Sequence, residues 1–277
     1  MDCIEFKDVT FSYPAEEDCD ESGKQSAPSP VFEHFSGAIP PAFTSIIGPN
    51  GCGKSTLMLL ASGRLAPSSG TVTLLGQEAF SLDEEKRNLL ASVIYQNMEF
   101  ETNEKAGQLL SFVYSNGALK ADAKGIQSSG DLFSEVVDVF ELSSILNHGL
   151  TEISKGENQR MLLAFSLLYG SASIFMDEPM FAMEESQKIT SLEYLRNYSI
   201  QTKTPVFISM HELDLTKKYA EKVLLMYPNR DMSYGTPEEV MTSEDLEKAY
   251  GIPAAMLKHN ESMTREFLAR NASLLKK

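Results

Sequence analysis

Phe43-Thr44-Ser45-Ile46-Ile47-Gly48-Pro49-Asn50-Gly51-Cys52-Gly53-Lys54-Ser55-Thr56 is the stretch that decides how this chain is read. A short apolar run, a strand by its length, stops at a glycine. The residues from Gly48 satisfy the spacing Gly-x4-Gly-Lys-Ser/Thr, and a helical run follows from Lys54 to about Gly63. Glycines at these positions let backbone N–H groups turn inward around phosphate oxygens. The helix that opens at Lys54 adds its partial positive charge. Lys54 reaches the β- and γ-phosphates, and the Ser55 hydroxyl suits Mg²⁺. Cys52 is expected to be a small filler in this loop and not a nucleophile.

Downstream, Ile174-Phe175-Met176-Asp177-Glu178 is an apolar strand that delivers two carboxylates to its carboxyl end, where nucleotide crevices form in open α/β sheets. Asp177 is the expected Mg²⁺ holder and Glu178 the general base for an attacking water. Further strands are expected at residues 3–13, 71–76, 91–95, 205–210 and 223–227. Helical spacing runs through 104–150 and 157–169. Strands alternating with helices predict an α/β fold with a mostly parallel sheet. Residues 15–30 read as an exposed acidic loop, with Glu16, Glu17, Asp18, Asp20 and Glu21 against one lysine.

Composition narrows the function classes. The 277 residues are 42% apolar and 23% charged, ordinary for a folded protein, which excludes collagen-like and wholly disordered chains. Lys and Arg number 24 against 39 Asp and Glu, a net charge of −15. An acidic chain of pI near 4.7 lacks the basic face of a general nucleic-acid binder, so no nucleic-acid partner is expected. Cys3, Cys19 and Cys52 form no CxxC or zinc spacing and suit a reducing compartment. The N-terminus lacks a signal-peptide pattern, and no apolar run is long enough to span a bilayer. A cytoplasmic protein is expected, held at any membrane by another chain. His34, His148 and His259 have no ligand-spaced partners, and the 13 methionines are dispersed as core filler.

Taken in order, these motifs resemble the nucleotide-binding subunit of ATP-binding-cassette (ABC) transporters over about residues 2–252. The resemblance implies a phosphate-loop ATPase core, an N-terminal antiparallel β region and an inserted helical subdomain. It divides the chain into a core of 1–96 and 166–252, a helical subdomain of about 97–165, and a helical tail of 253–277. Tyr13 matches the aromatic residue that stacks on adenine. Gly48, Pro49, Asn50, Gly51, Cys52, Gly53, Lys54, Ser55 and Thr56 match the phosphate-binding loop. Gln96 matches the glutamine that contacts Mg²⁺, the attacking water and the permease link, and His211 the histidine that contacts the γ-phosphate. Ile153-Ser154-Lys155-Gly156-Glu157-Asn158-Gln159-Arg160 matches the signature loop, which implies that Ser154, Gly156 and Glu157 meet ATP bound to a second subunit.

Two departures stand out. Lys155 replaces a signature glycine and Glu157 the signature glutamine, and the usual Ser-Ala-Leu-Asp segment reads Phe181-Ala182-Met183-Glu184. Both bear on the subunit contact and the hydrolysis rate. The stretch from Tyr234 to Ile252 is similar to the end of ATPases serving iron-chelate, haem and cobalamin importers. The implied function is ATP hydrolysis that powers transport, import favoured, through a separate membrane permease. A second cassette, identical or different, and a substrate-binding protein complete the implied assembly, on the inner face of the cell membrane. The alternatives are a soluble ABC ATPase for protein or iron–sulfur assembly, and a nucleotide-sensing module with weak turnover.

Overall fold

The protein is described by a computed structural model covering residues 2–14, 30–119, 129–253 and 256–257, with the side chains of 129–131 left aside. The acidic stretch, apart from Pro30, and almost all of the C-terminal tail lie outside the described residues. In chain order the strands are β1 (Ile4–Phe11), β2 (Phe32–Ile39), β3 (Phe43–Ile47), β4 (Ser69–Leu74), β5 (Ser92–Ile94), β6 (Ile174–Asp177), β7 (Val206–Ser209), β8 (Lys222–Met226) and β9 (Met232–Gly235). The helices are α1 (Lys54–Ala61), α2 (Glu84–Leu90), α3 (Ala106–Asn116), α4 (Ser129–Val139), α5 (Lys155–Tyr169), α6 (Glu185–Thr202), α7 (Leu213–Tyr219), α8 (Pro237–Val240) and α9 (Ser243–Tyr250).

All five residues of β3 are buried, because the strand has a parallel neighbour on each side. Phe43 pairs with Val206 and Ile46 with Ser209 on one side; Thr44 pairs with Lys222 and Ile47 with Leu225 on the other. The six-stranded sheet runs β5-β6-β7-β3-β8-β9, and only β9 is antiparallel to its neighbour. A second, three-stranded antiparallel sheet has the order β2-β1-β4. The fold thus has the mostly parallel α/β sheet that the alternation of elements predicts and the N-terminal antiparallel region that the resemblance implies.

The large sheet is covered on both faces, which is why its strands are apolar without alternation. Successive side chains still point to opposite sides. Phe175, Phe207, Ile46 and Leu224 pack toward the antiparallel sheet with Phe6 and Phe32. Met176, Ile208 and Phe43 pack toward the helices with Leu110, Val136 and Leu163. A third cluster joins Ile47, Val223 and Leu225 to Val240 and Ala249 of the C-terminal helices.

Several boundaries differ from expectation. β4 spans 69–74 and not 71–76, because Leu75 (φ +50°) and Gly76 (φ +77°) turn the chain and Leu74 exchanges hydrogen bonds with Gln77. The helical spacing expected through residue 150 ends at Val139; Glu141 has a φ of +51°, and Leu142, Ile145 and Leu150 are buried from irregular backbone. α5 starts two residues early because Ser154 caps it. β2, β9, α2, α6, α7, α8 and α9 were not anticipated.

The rings of Phe175 and Phe207 stack at 4.9 Å with an interplanar angle of 19°, both fully buried. Phe207→Ala is expected to lower unfolding free energy by about 3–5 kcal/mol in denaturant titration. Phe112→Ala, at a side chain 64% exposed, should stay within about 0.5 kcal/mol of the parent.

Candidate functional site

The loop after β3 is shaped by its glycines. Gly48 has a φ of +146°, and a Cβ there would lie 2.5 Å from the Met226 carbonyl oxygen, so any side chain would push the loop off β8. Lys54 is 7% exposed, and its Nζ donates to the carbonyls of Gly48 at 2.9 Å and Pro49 at 3.2 Å. Gly53 precedes α1 without a side-chain cap, so the first-turn N–H groups remain available to a ligand. Tyr13 is 44% exposed, edge-on to Phe11, with its hydroxyl 3.1 Å from that of Thr56. Cys52 is buried, and burial pushes its thiol pKa up, which suits a filler.

Opposite the loop lie the ends of β6 and β7. Asp177 and Ser209 are register partners. The Ser209 hydroxyl donates to Asp177 and accepts the Glu178 N–H at 2.9 Å. Glu178 itself has a φ of +48°, a turn away from the strand that aims its carboxylate outward. Gln96 Nε2 donates to Glu178 Oε2 at 3.0 Å, and His211 Nε2 lies 2.6 Å from Oε1. Both carboxylate oxygens are therefore oriented, one by each neighbour.

Tyr13, Lys54, Ser55, Gln96, Glu178 and His211 line one cleft of about 560 Å³. Asp177 stands behind Glu178, bound to Ser209. Phe181 and Arg230 line the cleft as well and were not anticipated. Nor was Ser209; its only sequence signal was a place at the end of the 205–210 strand, level with Asp177. Among the described residues no three His, Cys, Asp or Glu side chains group as a metal cage. Hard oxygen donors at Ser55, Asp177 and the Gln96 carbonyl nevertheless fit Mg²⁺, which takes few protein ligands and completes its shell with phosphates and water.

The expected signature residues do not line this cleft. Ser154, Gly156 and Glu157 open α5 at the surface, where Ser154 and Glu157 form a capping box. The Glu157 carboxylate accepts both the Ser154 N–H and hydroxyl at 2.7 Å, and these bonds hold its pKa below the usual range. Gly156 lies against the segment after Glu178: a Cβ there would sit 2.9 Å from the Ala182 carbonyl oxygen. Gln159 accepts the Ala182 N–H at 2.7 Å. Glu184, the lengthened acid of that segment, caps α6 and pairs with Gln187.

Beside Gln96 a depression of about 290 Å³ is lined by Arg64, Asn88, Tyr95, Met98, Phe165 and Tyr169 among others. Its walls come from Arg64, residues 88–98 and one face of α5. No helix of the described residues is long and apolar enough to cross a membrane.

Comparison with known proteins gives the same reading. The chain is 29% identical over 209 residues to the petrobactin import ATP-binding protein FatE of Bacillus anthracis, covering 74% of this chain and 81% of that protein. It is 28% identical over 222 residues to the hemin import ATP-binding protein HmuV of Rhizobium meliloti, covering 77% and 82%. Among solved structures, a dimeric post-hydrolysis ATP-binding cassette bound to ADP and Pi superposes with a TM-score of 0.69 at 18% identity, covering 84% of this chain and 98% of that one. The cbiO1 protein of Clostridium perfringens, part of the ABC transporter complex cbiONQ, superposes at 0.66 with 19% identity, covering 94% and 99%. The family model for ABC transporters matches residues 39–181, from the strand before the phosphate loop to just past the paired carboxylates, and the chain belongs to that family of ATP-binding ATPases.

Proposed function

We propose that this chain is the ATP-hydrolysing subunit of an importer for an iron chelate, haem or a similar metal-bearing compound. The observation that carries the reading is the convergence, in one cleft, of a phosphate loop and a carboxylate oriented by two side chains. The class of cargo rests on the relatives' names.

In the proposed mechanism Tyr13 stacks on adenine and residues 48–56 cradle the phosphates, with Lys54 moving from loop carbonyls to phosphate oxygens. Glu178 takes a proton from water as the water oxygen bonds to the γ-phosphorus. The bond to the ADP oxygen breaks, and the proton stays on the carboxylate until solvent removes it. Gln96 aims the Glu178 carboxylate and the water, and His211 meets the γ-phosphate. Ser55, Gln96 and Asp177 would hold Mg²⁺, which when bound neutralises charge on the phosphates.

Residues 1–96 and 166–252 then act as the catalytic core and about 97–165 as a helical subdomain. The depression beside Gln96 is the proposed seat of a permease segment, which holds the chain on the inner face of the membrane. Ser154, Gly156 and Glu157 would meet ATP on a second cassette, identical or different. A substrate-binding protein would deliver the cargo.

Purified chain should bind ATP with Mg²⁺ in equilibrium titration. Lys54→Ala should weaken that binding by at least tenfold, and Glu178→Gln should retain it while losing nearly all turnover, about 10²–10⁴-fold by the usual contribution of a general base. Binding indifferent to Lys54→Ala would sink the reading. Ser209→Ala frees Asp177 and the Glu178 backbone; kcat should fall about tenfold with ATP affinity nearly unchanged. One observation favours slow turnover as a second reading: the Glu157 carboxylate occupies both Ser154 donors. Glu157→Gln removes that charge and should raise turnover several-fold; unchanged turnover would clear Glu157 of this role.

A further inference from the structure

Arg230 sits in the turn between β8 and β9, outside every motif discussed above. Its φ is +71°, a region where glycine is unstrained and a long side chain is uncommon. The turn is closed by hydrogen bonds between the backbone of Tyr227 and those of Arg230 and Asp231, each 3.0 Å. From this position the guanidinium reaches two separate parts of the chain. Nε donates to the Val31 carbonyl at 3.0 Å, and one terminal nitrogen donates to the Gly51 carbonyl at 2.6 Å.

Gly51 has more open space around it than the other two glycines of the phosphate loop, Gly48 and Gly53. Its φ is +75°, and nothing lies within 4 Å of where its Cβ would be. The carbonyl of residue 51 and the N–H of residue 52 share one rigid peptide plane. That plane is held at both ends: the Cys52 N–H donates to the Pro49 carbonyl at 3.3 Å, and the Gly51 carbonyl accepts from Arg230. A second contact from the C-terminal part of the chain holds the start of the loop, where the Gly48 N–H donates to the Tyr250 hydroxyl at 3.1 Å. Arg230 also lines the cleft, where it and Lys54 are the permanent cations among the described residues, in a chain of net charge −15.

We propose that Arg230 is a positioning residue for the triphosphate of ATP: it pins the tip of the phosphate loop through the Gly51 carbonyl, an inference that rests on the ATP-binding reading above. With the peptide plane fixed beforehand, the loop need not be ordered when ATP arrives. The planar fork of an arginine spans Val31 and Gly51 together, which the single ammonium of a lysine does not.

The test compares the full chain with its Arg230→Gly and Arg230→Lys variants. Binding of ATP and of inorganic triphosphate is measured by calorimetry, together with KM, kcat and the thermal midpoint. Glycine relieves the backbone at this φ, so the Arg230→Gly midpoint should not fall sharply. Its affinity for both ligands should fall about tenfold, the usual scale for one charged hydrogen bond. KM should rise in step, with kcat within twofold. Arg230→Lys should recover only part of the loss. Parent-like affinity in Arg230→Gly would overturn the proposal, as would loss confined to ATP with triphosphate binding intact, because the contact would then serve the nucleoside. Full recovery in Arg230→Lys would also overturn it, by showing that charge alone suffices; should the glycine variant not fold, the lysine variant decides in the same way. If the parent chain does not bind ATP, or binds it without regard to Lys54, the ATP-binding reading itself fails.

Discussion

The parallel pairing of β3 on both of its edges is the constraint on which the rest of this molecule depends. A central parallel strand can neither slip nor twist away without breaking two ladders, so its carboxyl end is a fixed point. The phosphate loop leaves from that end. The Asp177–Glu178 turn leaves from β6 and His211 follows β7, at the same edge of the sheet and in register with it. Bringing these groups together requires no separate device: parallel strands of similar length deposit their following residues in one line. The apolar layers on both faces keep that line from moving, with Phe175 and Phe207 turned one way and Met176 and Ile208 the other.

Much of this was legible from residue types because each element carries a strong local signal. The five apolar residues before Gly48, the Gly-x4-Gly-Lys-Ser spacing and the Ile174–Glu178 run require particular chemistry at particular positions, and all lie where they were expected. α6 was illegible for a physical reason. Ser191 and Ser199 are buried on it beside Leu192 and Leu195, while Ile200 is half-exposed, so its polarity does not follow the helical period. The end of the helical stretch near residue 140 was misread because Leu142, Ile145 and Leu150 keep the apolar rhythm while buried from turns.

Within the site, side chains that act on nucleotide have recognisable types and spacings, and those that hold other groups do not. Ser209 is an ordinary strand-end serine until its hydroxyl is seen between Asp177 and the Glu178 backbone. Arg230 is an ordinary surface arginine until its fork is seen on two distant carbonyls. Neither contact leaves a trace in one-dimensional spacing, because the partners are 32 and 179 positions away. The Glu157–Ser154 pair is the intermediate case. The substitution was visible and was expected to bear on the subunit contact and the hydrolysis rate, but local capping, with Glu157 bound to Ser154, was found only in three dimensions.

The contact between the start of α5 and the segment after Glu178 has a mechanical meaning. Gly156 touches the Ala182 carbonyl and Gln159 holds the Ala182 N–H, so two surfaces far apart in sequence share a single joint. Three residues of chain separate Ala182 from Glu178. A lever this short has little slack. The carboxylate strand-end and the tip of α5 are thereby tied through a short, hydrogen-bonded link and not through a long loop. The glycine at 156 acts as the bearing surface of that joint, since any larger residue would wedge it open.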